Sequence, residues 1–167
     1  MMKILFAHGK ESGPWGSKII RLANLAEQHG FSTDSIDYSD LTDPDLRVER
    51  LLNTLKNETQ DVILVGSSMG GYVSLVAAEQ APVQGVFLLA PALYMSGYAK
   101  QTYSAHANIE IVHGWADDII PPEHSIRYAK QHHCSLHLIA GDHRLNSSLE
   151  VVASLFESFL QNYKAVA

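Results

Sequence analysis

The sequence predicts an α/β protein, a three-layer sandwich with a mostly parallel six-stranded sheet between two layers of helices. Three observations carry that expectation. Apolar runs of strand length alternate with helix-period segments from end to end. Several of the runs are continuously apolar, Val62-Ile63-Leu64-Val65 and Val86-Phe87-Leu88-Leu89 among them, as strands covered on both faces are. The chain has 167 residues, 46% of them hydrophobic and 18% charged. A chain of that size suits one domain, residues 1–167, burying about 70% of its unfolded surface.

In chain order, the first strand is expected over Lys3–His8 and the first helix over about Trp15–His29. Gly30 follows that helix where a glycine takes the left-handed turn without steric cost. The second strand, Phe31–Tyr38, leads to a helix at Pro44–Asn57. Asp43 offers its carboxylate to the free N–H groups there, and Pro44 suits the first helical position. Val48, Leu51, Leu52 and Leu55 make the apolar stripe of that helix, interleaved with Leu46, Arg50 and Lys56. Asp61–Ser67 and Val83–Ala90 read as strands flanking a helix at about Gly70–Gln80, and Ile109–Gly114 and Ser135–Ala140 as strands flanking Pro122–His132. The last helix is expected at Ser147–Tyr163, with Ser147 as cap and Glu150 as its capping-box partner. Only the Tyr- and Ala-rich stretch Pro91–Ala107 connects two strands without a clear helix.

Charge and cysteine content narrow the classes of function. A net charge of −6 gives no basic stripe for nucleic acid. The lone cysteine, Cys134, forms no internal disulfide, so no oxidising compartment is required. The apolar stretch Ile4–Ala7 is shorter than a secretory signal core, and no window approaches the roughly 20 apolar residues of a membrane span. The whole chain is therefore expected to be soluble and cytoplasmic.

Gly66-Ser67-Ser68-Met69-Gly70 directly follows the third strand and precedes a helix, a G-x-S-x-G pattern in strand–turn–helix context. A very sharp turn pushes a serine hydroxyl above the sheet, and the flanking glycines let the backbone close without a clash. The register is unique, because Ser67 would need glycines where Val65 and Met69 stand. An ordinary Gly/Ser-rich turn is the plain alternative on this match alone. A nucleophilic serine needs a base and an orienting acid, in the order serine, acid, histidine for this architecture. Downstream, His113-Gly114-Trp115-Ala116-Asp117-Asp118-Ile119-Ile120-Pro121 ends the fifth strand and Gly141-Asp142-His143 follows the sixth. Ser68, an aspartate of the 117–118 pair and His143 thus all fall at the carboxyl ends of strands, where open α/β sheets place their sites.

With these residues the sequence resembles the α/β-hydrolase superfamily over essentially its whole length. The family's H-G-x-x-D-x-x-(apolar)-P pattern matches His113, Gly114, Asp117, Ile120 and Pro121. The resemblance implies that Asp117, rather than Asp118, is the acid of a Ser68–Asp117–His143 triad. It likens Ala7-His8-Gly9 to the family's oxyanion loop, which assigns the backbone N–H groups of Lys10 and Met69 to the oxyanion hole. Lys10 departs from the aromatic or glycine more usual there. The family's two leading strands are absent from this sequence, and its lid region is reduced to Pro91–Ala107. The likeness is to small, nearly lidless serine hydrolases with a reduced α/β-hydrolase fold. It implies cleavage of small or soluble carboxylic esters, with no metal or organic cofactor. A thioesterase or a C–C bond hydrolase would use the same three residues. A hydrolase fold kept only for binding remains the reading from another class, although a pure binder has no need of all three.

Trp115 and Tyr94 are candidates to wall the substrate site, with Trp15, Met95 and Tyr98 behind them; packing at the sheet edge is the alternative for each. His132-His133-Cys134 is contiguous, which suits few metal geometries, and reads better as the polar end of a helix. His8 and His113, each before a glycine at a strand end, read as hydrogen-bonding loop supports. Asp37 and Asp40 read as turn and cap residues. Gly9-Lys10 fails as a phosphate loop, which would need glycine at Ile4 and Ser or Thr at Glu11. No dinucleotide fingerprint follows any strand. The expected partner is a small ester or thioester substrate, with no nucleic acid and no membrane; the oligomeric state is left open.

Overall fold

Side chains alternate across a strand, and here that alternation supplies two cores. Leu5, Leu64, Val86 and Leu88 enter one buried cluster, while Ile4, Phe6, Ile63, Val65, Phe87 and Leu89 enter the other. In the computed structural model, which describes residues 1–163, six strands stand between these clusters. The elements are β1 (Met2–Ala7), α1 (Ser17–Gln28), β2 (Ser32–Ile36), α2 (Pro44–Lys56), β3 (Asp61–Ser67), α3 (Met69–Ala77), β4 (Gly85–Leu89), β5 (Asn108–Gly114), α4 (Pro122–His132), β6 (Ser135–Ile139) and α5 (Leu149–Gln161). Helices α1 and α5 cover the second cluster, through Leu22, Ala26, Phe156 and Phe159. Helices α2, α3 and α4 cover the first, through Leu51, Tyr72, Val73 and Tyr128. The three-layer sandwich is the architecture expected from the sequence.

The strand order is β2-β1-β3-β4-β5-β6 and every pairing is parallel. The sheet is thus wholly rather than mostly parallel, because every strand-to-strand connection crosses back over a face. The order reverses between β1 and β3: the chain leaves β1 toward β2 and continues on the other side from β3. A crevice opens at such a switch point beyond the carboxyl ends of the strands. The β1 and β3 ends carry His8-Gly9-Lys10 and Ser68 respectively.

Local signals hold at most element ends. The Asp43 side chain accepts from the Asp45 N–H at 2.8 Å, with Pro44 opening α2. Gly30 has φ +89° after α1, and the Phe31 N–H returns to Ala26 O. The last helix corrects the expectation. Ser147 and Ser148 lie in a 3₁₀ turn, Asn146–Ser148, and α5 begins at Leu149 with no side-chain cap. The Ser148 hydroxyl donates to Ala140 O instead, and Glu150 pairs with Arg21 across to α1. A tertiary partner, Arg21, thus takes the acidic half of the expected capping box, and Ser147 lies inside the 3₁₀ turn instead of at the helix cap. Strand β2 is shorter than expected because Tyr38 leaves the ladder to donate its N–H to His8 Nε2. Helix α1 starts at Ser17, two residues after Trp15, and β4 starts at Gly85, two after Val83.

The stretch between β4 and β5 is an irregular strap. It is tied down by the Tyr72 hydroxyl, which donates to Asp45 Oδ1 at 2.7 Å and accepts from the Lys100 N–H at 3.0 Å. Asp45 Oδ2 also accepts from the Ala99 N–H. No described helix is long and apolar enough to cross a membrane.

Candidate active site

Strand β3 ends at Ser67 and α3 begins at Met69, so Ser68 alone turns the chain. Its φ of 55° and ψ of −119° lie in a region that residues with side chains adopt only when their surroundings force it. The forcing contacts are clear. The Ser68 N–H donates to Leu89 O, and Ser68 O accepts from the N–H groups of Gly71 and Ala92. The glycines are needed for space. A methyl group on Gly66 would stand 2.2 Å from Gly70 O, and one on Gly70 would stand 2.0 Å from Ala7 O. Gly71, which the five-residue pattern does not include, is held as close: its added carbon would meet Pro91 Cβ at 2.7 Å.

The three residues expected to act together do meet. His143 Nε2 lies 3.0 Å from Ser68 Oγ, and His143 Nδ1 lies 2.7 Å from Asp117 Oδ2. A carboxylate can only accept, so Nδ1 carries the proton and Nε2 presents its lone pair to the serine hydroxyl. Asp117 is buried, whereas Asp118 is exposed. Burial alone would raise the Asp117 carboxyl. The hydrogen bond from His143, with those from the Ile120 and Ile119 N–H groups to Oδ1, outweighs burial and holds it below the usual carboxylate range. The two loops are joined directly, since Ala116 donates to Gly141 O and Trp115 to Ile139 O. A methyl group on Gly114 would stand 2.3 Å from Gly141 O. The Lys18 ammonium donates to Arg144 O at 3.1 Å, joining α1 to the His143 loop. Burial pushes that amine down to about 8, against the raising effect of Asp142 and Asp117.

His113 is a support, as the sequence suggested. Its ring is fully buried; Nε2 donates to Ile120 O at 2.8 Å and lies 3.1 Å from Asp117 Oδ2, while Nδ1 accepts from the Ser125 hydroxyl. His8 is held likewise, Nδ1–H donating to Gly9 O at 2.7 Å and Nε2 accepting from Tyr38. Burial is the main cause that lowers both imidazoles below the ordinary 6.5. The folded state therefore binds fewer protons than the unfolded chain once pH drops through about 6.5. Stability should fall progressively below that pH, with a further loss from Asp117 as pH falls below its ordinary 3.8. Thermal melts between roughly pH 8 and pH 5 check this, and a midpoint that does not fall on acidification contradicts it.

The loop after β1 lies against the serine. A carbon added to Gly9 would be 3.6 Å from Ser68 Cβ and 3.8 Å from Ser67 O. The Gly9 N–H donates to the Ser12 hydroxyl. The Lys10 N–H and the Met69 N–H, at the first position of α3, meet no acceptor among the described residues. Trp115 is 59% exposed beside the acid loop, and Trp15 is 46% exposed beyond the β1 loop. Tyr94 is committed to packing: its ring meets Tyr103 and His124 edge-on and lies under the Arg127 guanidinium at 3.8 Å. Two shallow surface hollows, about 610 and 400 Å3, lie away from Ser68, one along α2 and one beside the end of α3. Asp37 accepts from the Ser39 N–H and Asp40 pairs with Arg50, as turn and cap residues do. His132 stacks on Tyr128 and His133 ends α4 in the left-handed conformation. Among the described residues no three His, Cys, Asp or Glu side chains gather as a metal site would require.

The family model of the alpha/beta hydrolase family matches residues 4–160. The chain belongs to that family. Among solved structures, a hydrolase of the alpha/beta superfamily from Xanthomonas campestris pv. campestris is 32% identical, with a TM-score of 0.89, covering 96% of this chain and 97% of that one. Est1E from Butyrivibrio proteoclasticus is 20% identical with a TM-score of 0.81, covering 96% of this alpha/beta hydrolase and 87% of its own chain. A Xanthomonas campestris protein described as an alpha/beta serine hydrolase without a lid is 16% identical with a TM-score of 0.79, covering 98% and 84%. A search of curated protein sequences finds no match.

Proposed function

We propose that this alpha/beta hydrolase is a serine hydrolase that cleaves carboxylic esters of small or soluble substrates through an acyl-enzyme on Ser68. The observation that carries the reading is the hydrogen-bonded chain from Ser68 Oγ through His143 to Asp117, anchored on a strained turn. His143 Nε2 takes the Ser68 proton as Oγ attacks the acyl carbon, forming the Oγ–C bond and moving the carbonyl π pair onto oxygen. Asp117 keeps the imidazole in the useful tautomer and stabilises the imidazolium. The Lys10 and Met69 N–H groups receive the oxyanion, a donor of this kind being worth about 3 kcal/mol of barrier. When the tetrahedral adduct collapses, the C–O bond breaks and the proton on Nε2 passes to the departing alcohol. Water, deprotonated by His143, then attacks the acyl-enzyme, and Ser68 leaves with the proton returned. No step draws on a metal or an organic cofactor. Exposed Trp115, in the loop that carries Asp117, supports soluble esters over long buried acyl chains.

Labelling with a fluorophosphonate probe tests the reading. A single adduct on the peptide containing Ser68, absent in Ser68→Ala, is the expected result; folded protein that takes no label overturns it. A panel of p-nitrophenyl esters and matched thioesters then separates ester from thioester preference.

A further inference from the structure

Arg47 is the largest fully buried side chain of the molecule, 1% exposed, and the mechanism above does not use it. It lies in the first turns of α2, and its guanidinium reaches back to the loop after β1. Nη1 donates to His8 O at 3.2 Å and to Gly9 O at 3.1 Å, and Nη2 to Lys10 O at 3.4 Å. Nε donates to Leu41 O at 2.8 Å, and the Tyr38 ring lies 5.5 Å from the guanidinium carbon. No carboxylate comes within ion-pair distance among the described residues; Asp40, an acid that acts weakly on it, pairs with Arg50. Burial accordingly holds the Arg47 guanidinium below its ordinary value.

We infer that Arg47 is a positioning residue for the oxyanion hole: a buried cation that fixes and polarises the peptides of His8, Gly9 and Lys10. The inference rests on the serine hydrolase reading of Ser68. Its physical basis is the planarity of the peptide bond. In a trans peptide the N–H points away from the preceding C=O, so a cation that gathers three successive carbonyls turns the N–H groups that follow them to the opposite side. The Gly9–Lys10 peptide is held twice, because Gly9 O also accepts from His8 Nδ1–H at 2.7 Å. Its N–H belongs to Lys10, finds no acceptor among the described residues, and follows a glycine packed against Ser68. A donor aimed beforehand needs no reorganisation when negative charge develops. Hydrogen bonding of a cation to the carbonyl also draws electrons from the amide and strengthens its N–H as a donor. A purely mechanical brace needs no charge, and an unpaired buried guanidinium is costly to keep. Negative charge forming at the Ser68 adduct is the event on which such a cation would act.

The test compares wild type with Arg47→Met and Arg47→Lys, using p-nitrophenyl acetate, fluorophosphonate labelling rates and inhibition by phenylboronic acid, which adds to serine as a tetrahedral anion. The low-field proton resonance of His143 Nδ1–H reports whether the Ser68–His143–Asp117 chain is intact. Arg47→Met is expected to lower kcat and the labelling rate by about 10- to 100-fold, somewhat less than outright loss of an oxyanion donor. KM should stay within a few-fold, boronate affinity should fall in step with kcat/KM, and the low-field proton should remain. Arg47→Lys should recover part of the loss, since an ammonium keeps the charge but lacks the planar fork with which Arg47 reaches four carbonyls. Should Arg47→Met fail to fold, the lysine variant is read in the same way. A folded variant with wild-type kcat and boronate affinity overturns the inference, as does a loss accompanied by disappearance of the His143 proton. Wild-type protein that takes no label removes the serine hydrolase reading itself, a result distinct from either.

Discussion

Replacing Asp117 by asparagine is expected to lower turnover of a p-nitrophenyl ester by about four orders of magnitude in a protein that still folds. The reason lies in how the carboxylate is shared. Oδ1 accepts from the Ile119 and Ile120 N–H groups, and Oδ2 faces His143 Nδ1 at 2.7 Å and His113 Nε2 at 3.1 Å. All four neighbours are donors, and an amide offers only one acceptor oxygen. With its NH2 toward the imidazoles, asparagine donates to His143 Nδ1, moves the proton to Nε2 and leaves no lone pair for Ser68. Turned the other way, it sets the NH2 against two backbone donors in a buried loop, which costs about 1–3 kcal/mol for each unsatisfied group. The variant should therefore melt lower, by about 5–10 °C for a domain of this size, yet remain folded. Steady-state kinetics, fluorophosphonate labelling rates and thermal melts read the three effects separately. More than a tenth of wild-type activity in folded Asp117→Asn would place the acid elsewhere.

Gly70→Ala is expected to destabilise the fold by about 3 kcal/mol or more and to leave any folded remainder inactive. The added methyl would stand 2.0 Å from Ala7 O, 2.4 Å from Ala7 C and 2.7 Å from His8 O. All three are backbone atoms at the end of β1, a central strand paired on both sides, so no side chain can rotate away. Relief requires moving α3 off the sheet or the β1 end away from Ser68. Either motion separates the loop carrying Lys10 from the turn carrying Met69. With total stabilities of only about 5–15 kcal/mol, much of the margin disappears. Gly13→Ala and Gly16→Ala are the controls, because nothing lies within 4 Å of an added carbon there. Denaturant melts of the three variants check the contrast, and a Gly70→Ala protein as stable as the two controls contradicts it.

The parts of this protein that were legible in advance are those whose physics is local. Continuous apolar runs marked buried strands because a strand covered on both faces has no polar side to show. Gly66, Ser68 and Gly70 marked the turn because a backbone so sharply folded excludes side chains at fixed offsets. Asp43 with Pro44 marked the start of α2 because a cap acts within one helical turn. Failures came where a residue had a distant competitor. Ser147 and Glu150 have capping-box spacing, but Ser148 and Glu150 find Ala140 O and Arg21 instead, and α5 starts later. Gly71 was passed over because Pro91, which it touches, is twenty positions away. For Tyr94 the sequence left a pocket wall and packing as alternatives, and its ring meets Tyr103, His124 and Arg127, none of them adjacent in the chain.

By itself the sequence determined the class of fold, the turn at Ser68, and the chain order of serine, aspartate and histidine at three strand ends. Only the tertiary structure decided the strand order, with its reversal between β1 and β3. It also separated buried Asp117 from exposed Asp118, and it brought the Arg47 guanidinium from α2 to the carbonyls of the β1 loop. Periodicity and turn chemistry act over a few residues and are written in neighbouring positions. Which strands lie side by side, and where a buried charge finds its partners, depends on packing between segments tens of residues apart, and no spacing in the chain records it.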